Sequence, residues 1–255
     1  MQRYQHINYA VSAGVARLTI NRPDRLNAIC IQTVKELIDA VAEAEGDHAV
    51  GVIVLTGAGD KAFCAGGDLN QDLNFDDPEA LDIGIDRSVI NCLKPTIARV
   101  NGYAIASGNH LAYHCDFTIA AEHAIFGQNG PRVGAPAAGH FVSYSAQILG
   151  HKRAREMWML CRRYTAAEML NWGLVNAVVP YAELDAEVGR WCDELLAMSP
   201  TTLKFVKRSF NRLVDLTTQN PIINEISPEY MRSGEMQEGV RAFLEKRKPD
   251  FSKWR

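Results

Sequence analysis

Residues 63–69, Phe-Cys-Ala-Gly-Gly-Asp-Leu, set two adjacent glycines between a thiol and a carboxylate. They follow the apolar run VIVLTG, so the order is strand, loop, and then a turn or helix from Leu69. Backbone N–H groups in such a loop, or at a helix start, have no partner within the element. They can bind an anion or a developing oxyanion. Without side chains at Gly66 and Gly67, a ligand oxygen could approach the main chain closely. Gly-Gly-Asp is also ordinary turn chemistry, and this loop alone does not separate the two readings. A second loop repeats the device. ARVNGYAIASGNHL runs strand, Asn-Gly turn, then Ala106, Ser107 and Gly108 at the start of a helix. Two such loops at the ends of neighbouring strands could aim two N–H donors at one oxygen. Each donor of that kind is worth ~2.7–4 kcal/mol of barrier.

His110 stands three residues after Ser107, about one helical turn on. If Ser107 faces a carbonyl group, His110 can lie on the same face, and an imidazole serves as acid or base near neutral pH. A helix histidine bonded to a backbone carbonyl would look the same in sequence. His114 follows at i+4, so the two can share a helix face. Metal binding by this pair lacks a carboxylate companion in the sequence, and no Cys/His group has zinc spacing. No metal is expected.

The elements that must position these residues can be read from hydrophobic period. INYAVSAGVARLTINRP alternates about a glycine turn and predicts a hairpin. LNAICIQTVKELIDAVAEAEGD carries Leu37, Val41 and Ala44 on a helical stripe that ends at Gly46. VGVIVLTGAG predicts a strand buried on both faces, KPTIARVNGYAI a second, and CDFTIAAEHAIFG two short ones. Strands followed by helices predict an α/β core with parallel strands. From about Thr201 the chain becomes helical and amphipathic, and its apolar positions Leu203, Val206, Phe210 and Leu213 need a partner surface. A boundary is expected at Ser199–Pro200.

The 255 residues are 47% hydrophobic and 22% charged, with a net charge of −3. That is the balance of a soluble globular chain with a large core, and it argues against nucleic acid or anionic membrane as the main partner. Six cysteines without a C-x-x-C pair read as reduced thiols in a cytoplasmic protein. The first residues have no apolar core of a signal peptide, and no apolar run reaches the ~18 residues of a membrane span.

Five blocks in order, NRPDRLNAI, KAFCAGGDL, KPTIARVNGYAIASGNHLAYHCDFTIAAEHAIFG, GLVNAVVP and EGVRAFLEKRKPDF, resemble the crotonase (enoyl-CoA hydratase/isomerase) superfamily over essentially the whole chain. Within it, FGQNGPRVG, GHKRAREMWMLCRRYTAAEMLNWGLVN and FLEKRKPDF are similar to the dihydroxynaphthoyl-CoA synthase and 2-ketocyclohexanecarboxyl-CoA hydrolase families. The resemblance implies an α/β fold, a ClpP-like spiral of ββα units. Residues 1–199 would form the core with an acyl-CoA site, and 200–255 a helical segment building a homotrimer or a dimer of trimers. The amides of Gly67 and Ser107 would be the oxyanion donors, with Ser107 replacing the usual glycine. Hydratases of the superfamily use two glutamates; His110 and Gly130 stand at those positions, so the two-carboxylate route is not expected. Gly130 would leave space, and Gln128 and Asn129 could hold a water, a bicarbonate or a substrate carboxylate. Ala137 and His140 stand where the two nearest families carry Asp and Tyr. His140 could restore proton-transfer capacity or be a surface histidine near a helix start. Tyr230 resembles a tyrosine lent to a neighbouring active site. Coenzyme A would enter as part of the substrate, with no permanently bound cofactor. Arg25 would meet its phosphates or pantetheine, Lys246 and Lys248 its phosphates from an adjacent subunit, and Phe243 its adenine. Cys64, Ala65, Asp68 and Leu69 belong to the same binding block, Cys64 as a small filler and Asp68 as a brace of the loop. Trp158 reads as core.

The expected function is therefore an acyl-CoA enzyme that stabilises a thioester enolate, with hydrolytic C–C cleavage of a cyclic β-ketoacyl-CoA by His110 and His140. A divergent hydratase or isomerase with histidine in place of glutamate is the enzymatic alternative. A non-catalytic or RNA-binding homologue is the other. A serine hydrolase would want G-x-S-x-G, which is absent.

Overall fold

The computed structural model describes residues 3–69, 84–212 and 228–250. The predicted hairpin forms: β1 (Ile7–Ser12) pairs antiparallel with β2 (Val15–Ile20), in register Ile7 to Ile20. The predicted helix α1 spans Ile31–Gly46 and buries Val34, Leu37, Val41 and Ala44, one face at 3.6-residue period. From β3 (Val52–Gly57) onward the chain repeats one manoeuvre, placing a strand in one sheet and the next in another. Thus β3 is followed by β4 (Ala62–Cys64), then α2 (Ile85–Asn91). Next come β5 (Thr96–Val100), β6 (Tyr103–Ile105) and α3 (Ser107–His114), then β7 (Phe117–Ala121) and β8 (Ile125–Gly127). Four more helices follow: α4 (Gly130–Val133), α5 (His140–Leu149), α6 (His151–Leu160) and, after β9 (Arg163–Thr165), α7 (Ala166–Trp172). β10 (Ala177–Val179), α8 (Leu184–Leu196), α9 (Pro200–Asn211) and α10 (Gly234–Leu244) complete the described elements.

The larger sheet has the order β1-β2-β3-β5-β7-β10 and is parallel from β2 onward; the smaller has the order β4-β6-β8-β9. All six residues of β3 are buried, as its continuous apolar run requires. The strand's period of two divides them. Ile53 and Leu55 enter the main core with α1, while Val52 and Val54 meet Leu184, Val188 and Cys192 of α8. The short strand β6 was not expected from the sequence, which reads there as a turn leading straight into a helix.

The change of character near residue 200 is real as local structure. Ser199 caps α9 by accepting from the Thr202 amide, and Pro200 takes the first helical position. One side of α9 is pinned to the core: Lys207 Nζ donates to Asp116 Oδ2 (2.7 Å) and to the Lys94 carbonyl (2.9 Å). Asp116 also accepts from the Thr96 amide, confirming it as a structural carboxylate. The other side carries Phe205 and Phe210, 66% and 69% exposed. Leu213 of the predicted stripe lies outside the described residues. α10 packs back on the core, and Gly239 touches the backbone of Val133 and Gly134 so closely that a methyl group would not fit. Among the described residues no helix is long and apolar enough to cross a membrane.

Candidate functional site

Both sequence-predicted loops sit at the ends of strands of the smaller sheet, β4 and β6, which are parallel neighbours. A network of buried polar side chains holds them. Asn101 Nδ2 donates to the carbonyls of Gly57 (3.0 Å), Gly59 (2.7 Å) and Ala62 (3.0 Å), while its Oδ1 accepts from the Gly57 amide (3.2 Å). Asn27 Nδ2 reaches the same Ala62 carbonyl (2.7 Å) and that of Ala58 (2.9 Å). Arg22 donates to the Ala28 carbonyl and to Asp68 Oδ2 (2.8 Å), an ion pair whose side chains are 7% and 4% exposed. The NRPDRLNAI block is thus a clamp on the glycine loop. Asp68 is the expected brace.

Within the first loop, Ile29 forms a parallel bridge opposite Gly67. The Ile29 amide donates to the Gly66 carbonyl (2.9 Å) and the Asp68 amide to the Ile29 carbonyl (2.9 Å). The Gly67 N–H therefore faces away from this bridge, and it has no backbone acceptor among the described residues. Ser107 is the first residue of α3, so its N–H has no acceptor within the helix, and it too has no backbone partner among the described residues. The two loops touch. A methyl on Gly66, whose φ is +107°, would lie 3.1 Å from Ala106 Cβ and 3.9 Å from the Ser107 nitrogen. Gly108 permits the approach, because a Cβ there would fall 2.0 Å from the Cys64 carbonyl oxygen. Ala106 adopts φ 51°, ψ −117°, a conformation L-residues rarely hold.

Gly66, Gly67, Ala106 and Ser107 line a cavity of about 360 Å³ whose wall is mostly apolar. Ala65, Asp68, Leu69, His110, Gln128, Asn129, Gly130, His140 and Phe243 line it too. Trp158, read from sequence as core, also lines it, and its indole N–H donates to Ser145 Oγ (2.9 Å). Lys35, which no motif singles out, is the one Lys or Arg among the described lining residues and is exposed at α1.

Cys64 is the small filler its block suggested: it does not line the cavity but is fully buried behind the loop, and burial pushes its thiol up to about 12. The Tyr230 hydroxyl donates to the Gly134 carbonyl of its own chain (2.9 Å), and the residue is not part of its own chain's cavity lining. The space expected at Gly130 is partly filled, since a methyl there would meet Ala137 Cβ at 3.1 Å. Arg25, paired at 3.8 Å with Asp24, and Lys246 are exposed and away from the cavity lining, as is Lys248.

His110 lies on the cavity wall, buried, stacked on Phe141 with ring centroids 4.7 Å apart. Its Nε2 donates to Gln128 Oε1 (3.2 Å), and burial pushes the imidazole down to about 4, so it is neutral. Gln128 Nε2 is buried without a partner among the described residues, leaving it able to donate to a ligand. Arg163 fixes this corner by donating to the Gln128 carbonyl (2.8 Å) and to Asn129 Oδ1 (3.4 Å).

Behind His110 is a residue that the sequence did not disclose. Asp86, at the start of α2, is buried with Oδ1 3.1 Å from His114 Nδ1 and Oδ2 4.0 Å from His110 Nδ1. His140, buried rather than at the surface, stacks on His114 with centroids 5.4 Å apart. Burial alone would raise the Asp86 carboxyl; His114 foremost, then His110 and His140, hold it below the usual carboxylate range. Here is the carboxylate companion that seemed missing for the His110/His114 pair. A signal existed: Asp86 shares the helical face of Val89 and Ile90, both buried, and an acid on an apolar stripe is rarely idle.

The fold has counterparts among known proteins. The family model for enoyl-CoA hydratase/isomerase matches residues 10–254. An enoyl-CoA hydratase from Mycobacterium avium subsp. paratuberculosis is 28% identical with a TM-score of 0.81, over 98% of this chain and 99% of that one. An enoyl-CoA hydratase/isomerase from Xanthobacter autotrophicus is 31% identical with a TM-score of 0.78, over 95% and 97%. A methylmalonyl-CoA decarboxylase in complex with 2-nitronate-propionyl-CoA is 26% identical with a TM-score of 0.88, over 97% and 98%. The paired sheets, the two glycine-bearing corners and the length of the match lead to one conclusion: the chain belongs to the enoyl-CoA hydratase/isomerase family, the crotonase superfamily.

Proposed function

We propose that this protein is an acyl-CoA enzyme that opens a cyclic β-ketoacyl-CoA by hydrolysis. The thioester oxygen sits against the amides of Gly67 and Ser107. Neutral His110 takes a proton from a water, which adds to the ring ketone. The bond between the ketone carbon and the α-carbon then breaks, and its electrons move onto the thioester oxygen as an enolate. Protonation of the α-carbon by the imidazolium restores the base and leaves a carboxylic acid, which ionises to solvent, at the far end of an opened chain. His140 and Asp86 stand behind His110 and support its proton transfer. Coenzyme A is part of the substrate, and Lys35, Arg25, Lys246 and Phe243 are the residues proposed to meet it. We further propose the trimer or dimer of trimers, with the exposed face of α9 in the contact.

The observation that carries this reading is the neutral, buried His110 lining the same cavity as both loops. Asp68 is committed to Arg22 and Asp86 to histidines, so neither replaces the hydratase glutamates. The decarboxylase similarity supports C–C cleavage beside a thioester, because decarboxylation of methylmalonyl-CoA breaks such a bond. The solved hydratases favour a second reading, hydration or isomerisation of an enoyl-CoA with histidine as the acid–base group.

A mass-spectrometric screen of enoyl-, β-ketoacyl- and cyclic ketoacyl-CoA thioesters separates the two. Gain of water with ring opening is expected; gain of water across a double bond would favour hydration. His110→Ala should lower turnover by ~10²–10⁴ while the circular dichroism spectrum is retained. Full turnover in that variant would remove the mechanism.

A further inference from the structure

Asp86, His114 and His140 bring one ligand atom each to within 4.8 Å of one another, and all three residues are buried. They come from three helices, α2, α3 and α5, so no sequence spacing announces them. The Asp86–His114 contact is unusual for a hydrogen bond. The atoms are 3.1 Å apart, in ion-pair range, yet Asp86 Oδ1 and both His114 nitrogens have no well-aligned hydrogen-bond partner among the described residues. The His114 side chain is 0% exposed, so no bulk water compensates. A spacing of this size also suits two ligand atoms that share one ion. Two bonds of ~2.0–2.1 Å meeting at a tetrahedral angle separate their ligand atoms by roughly 3.3 Å.

We propose that Asp86, His114 and His140 bind a divalent first-row transition-metal ion, with Zn²⁺ the best match to two imidazoles and one carboxylate. The site has an entry path, because Asp86 and His140 line the acyl cavity while His114 closes the rear. It also has a rigid frame: His114 is held between the rings of Tyr144 (5.2 Å) and His140 (5.4 Å). Three protein ligands leave a tetrahedral ion one position for water or substrate. In the loaded protein His140 is a ligand, and His110 alone accepts the proton in the proposed reaction. Binding of the ion does not depend on that reaction, so either can fail without the other.

The test uses the full chain without a histidine tag, stripped by chelator, and titrated with Co²⁺ and Zn²⁺. Calorimetry should give one ion per chain with micromolar or tighter affinity, and Co²⁺ should develop the visible absorption of a low-coordinate N/O site. His114→Gln and His140→Gln should each weaken Zn²⁺ binding at least tenfold, while His123→Gln, remote from the cluster, should leave it unchanged. If a cluster variant does not fold, X-ray absorption of the wild-type Zn²⁺ complex decides, with two imidazoles expected in the shell. Less than a tenth of an equivalent bound to folded wild-type protein would overturn the proposal. So would undiminished binding in both cluster variants, or a shell without imidazole.

Discussion

The two walls of the cavity are built on opposite principles. On the loop wall, the buried polar groups that clamp it are committed: Asn27, Asn101, Arg22 and Asp68 hold the corners that carry Gly67 and Ser107. On the histidine wall, Asp86, His114 and Gln128 are buried with donors or acceptors left over. A saturated network makes a stiff frame, whereas an unsaturated one stays ready for a ligand, a proton or an ion. Rigidity and reactivity are thus assigned to different helices and strands, and substitutions should affect them differently.

The largest contrast is expected between two aspartates. Asp68→Asn removes the buried carboxylate paired with the permanent charge of Arg22, and should cost about 3–5 kcal/mol of unfolding free energy. Asp86→Asn faces imidazoles rather than a permanent charge, so it should cost less than half of that in urea unfolding while lowering turnover. Equal losses would erase the distinction between the walls. Gly66→Ala comes next: at φ +107° and 3.1 Å from Ala106 Cβ, it should lose roughly 1–3 kcal/mol. A crystal structure of this variant should show the two loops displaced from each other. Ala106→Gly should act in the opposite sense, raising stability by about 1 kcal/mol as backbone strain is released. An unchanged melting temperature would mean that Ala106 stores no strain. The smallest effect concerns Cys64, whose thiol is pushed up to about 12 and is fully buried. It should stay unlabelled by a thiol reagent at pH 8 for as long as the native fold persists, with labelling read by mass spectrometry after quenching.

The same contrast explains what could be read from the sequence. The loop wall is local. Gly66, Gly67, Asp68, Ser107 and the NRPDRLNAI block occur as contiguous signals, and the hairpin, α1 and β3 follow from hydrophobic period. The histidine wall is assembled from α2, α3 and α5, so its three-helix convergence has no one-dimensional signature. His110 and His114 were visible as an i, i+4 pair, but Asp86, 24 residues before His110, was not. β6 was missed because three residues are too few for a period to register. A motif marks which segment enters the site, not which way each side chain turns. Cys64 turns into the core, and Tyr230 spends its hydroxyl on Gly134.

One carbonyl oxygen, that of Ala62, is gripped by two asparagines from different parts of the chain, Asn27 and Asn101. A single peptide group therefore indexes both corners of the cavity to one point. If that point moved, the two corners would travel together, and the gap between them would survive. Tolerance of small backbone shifts elsewhere in the fold is a consequence of this shared anchor.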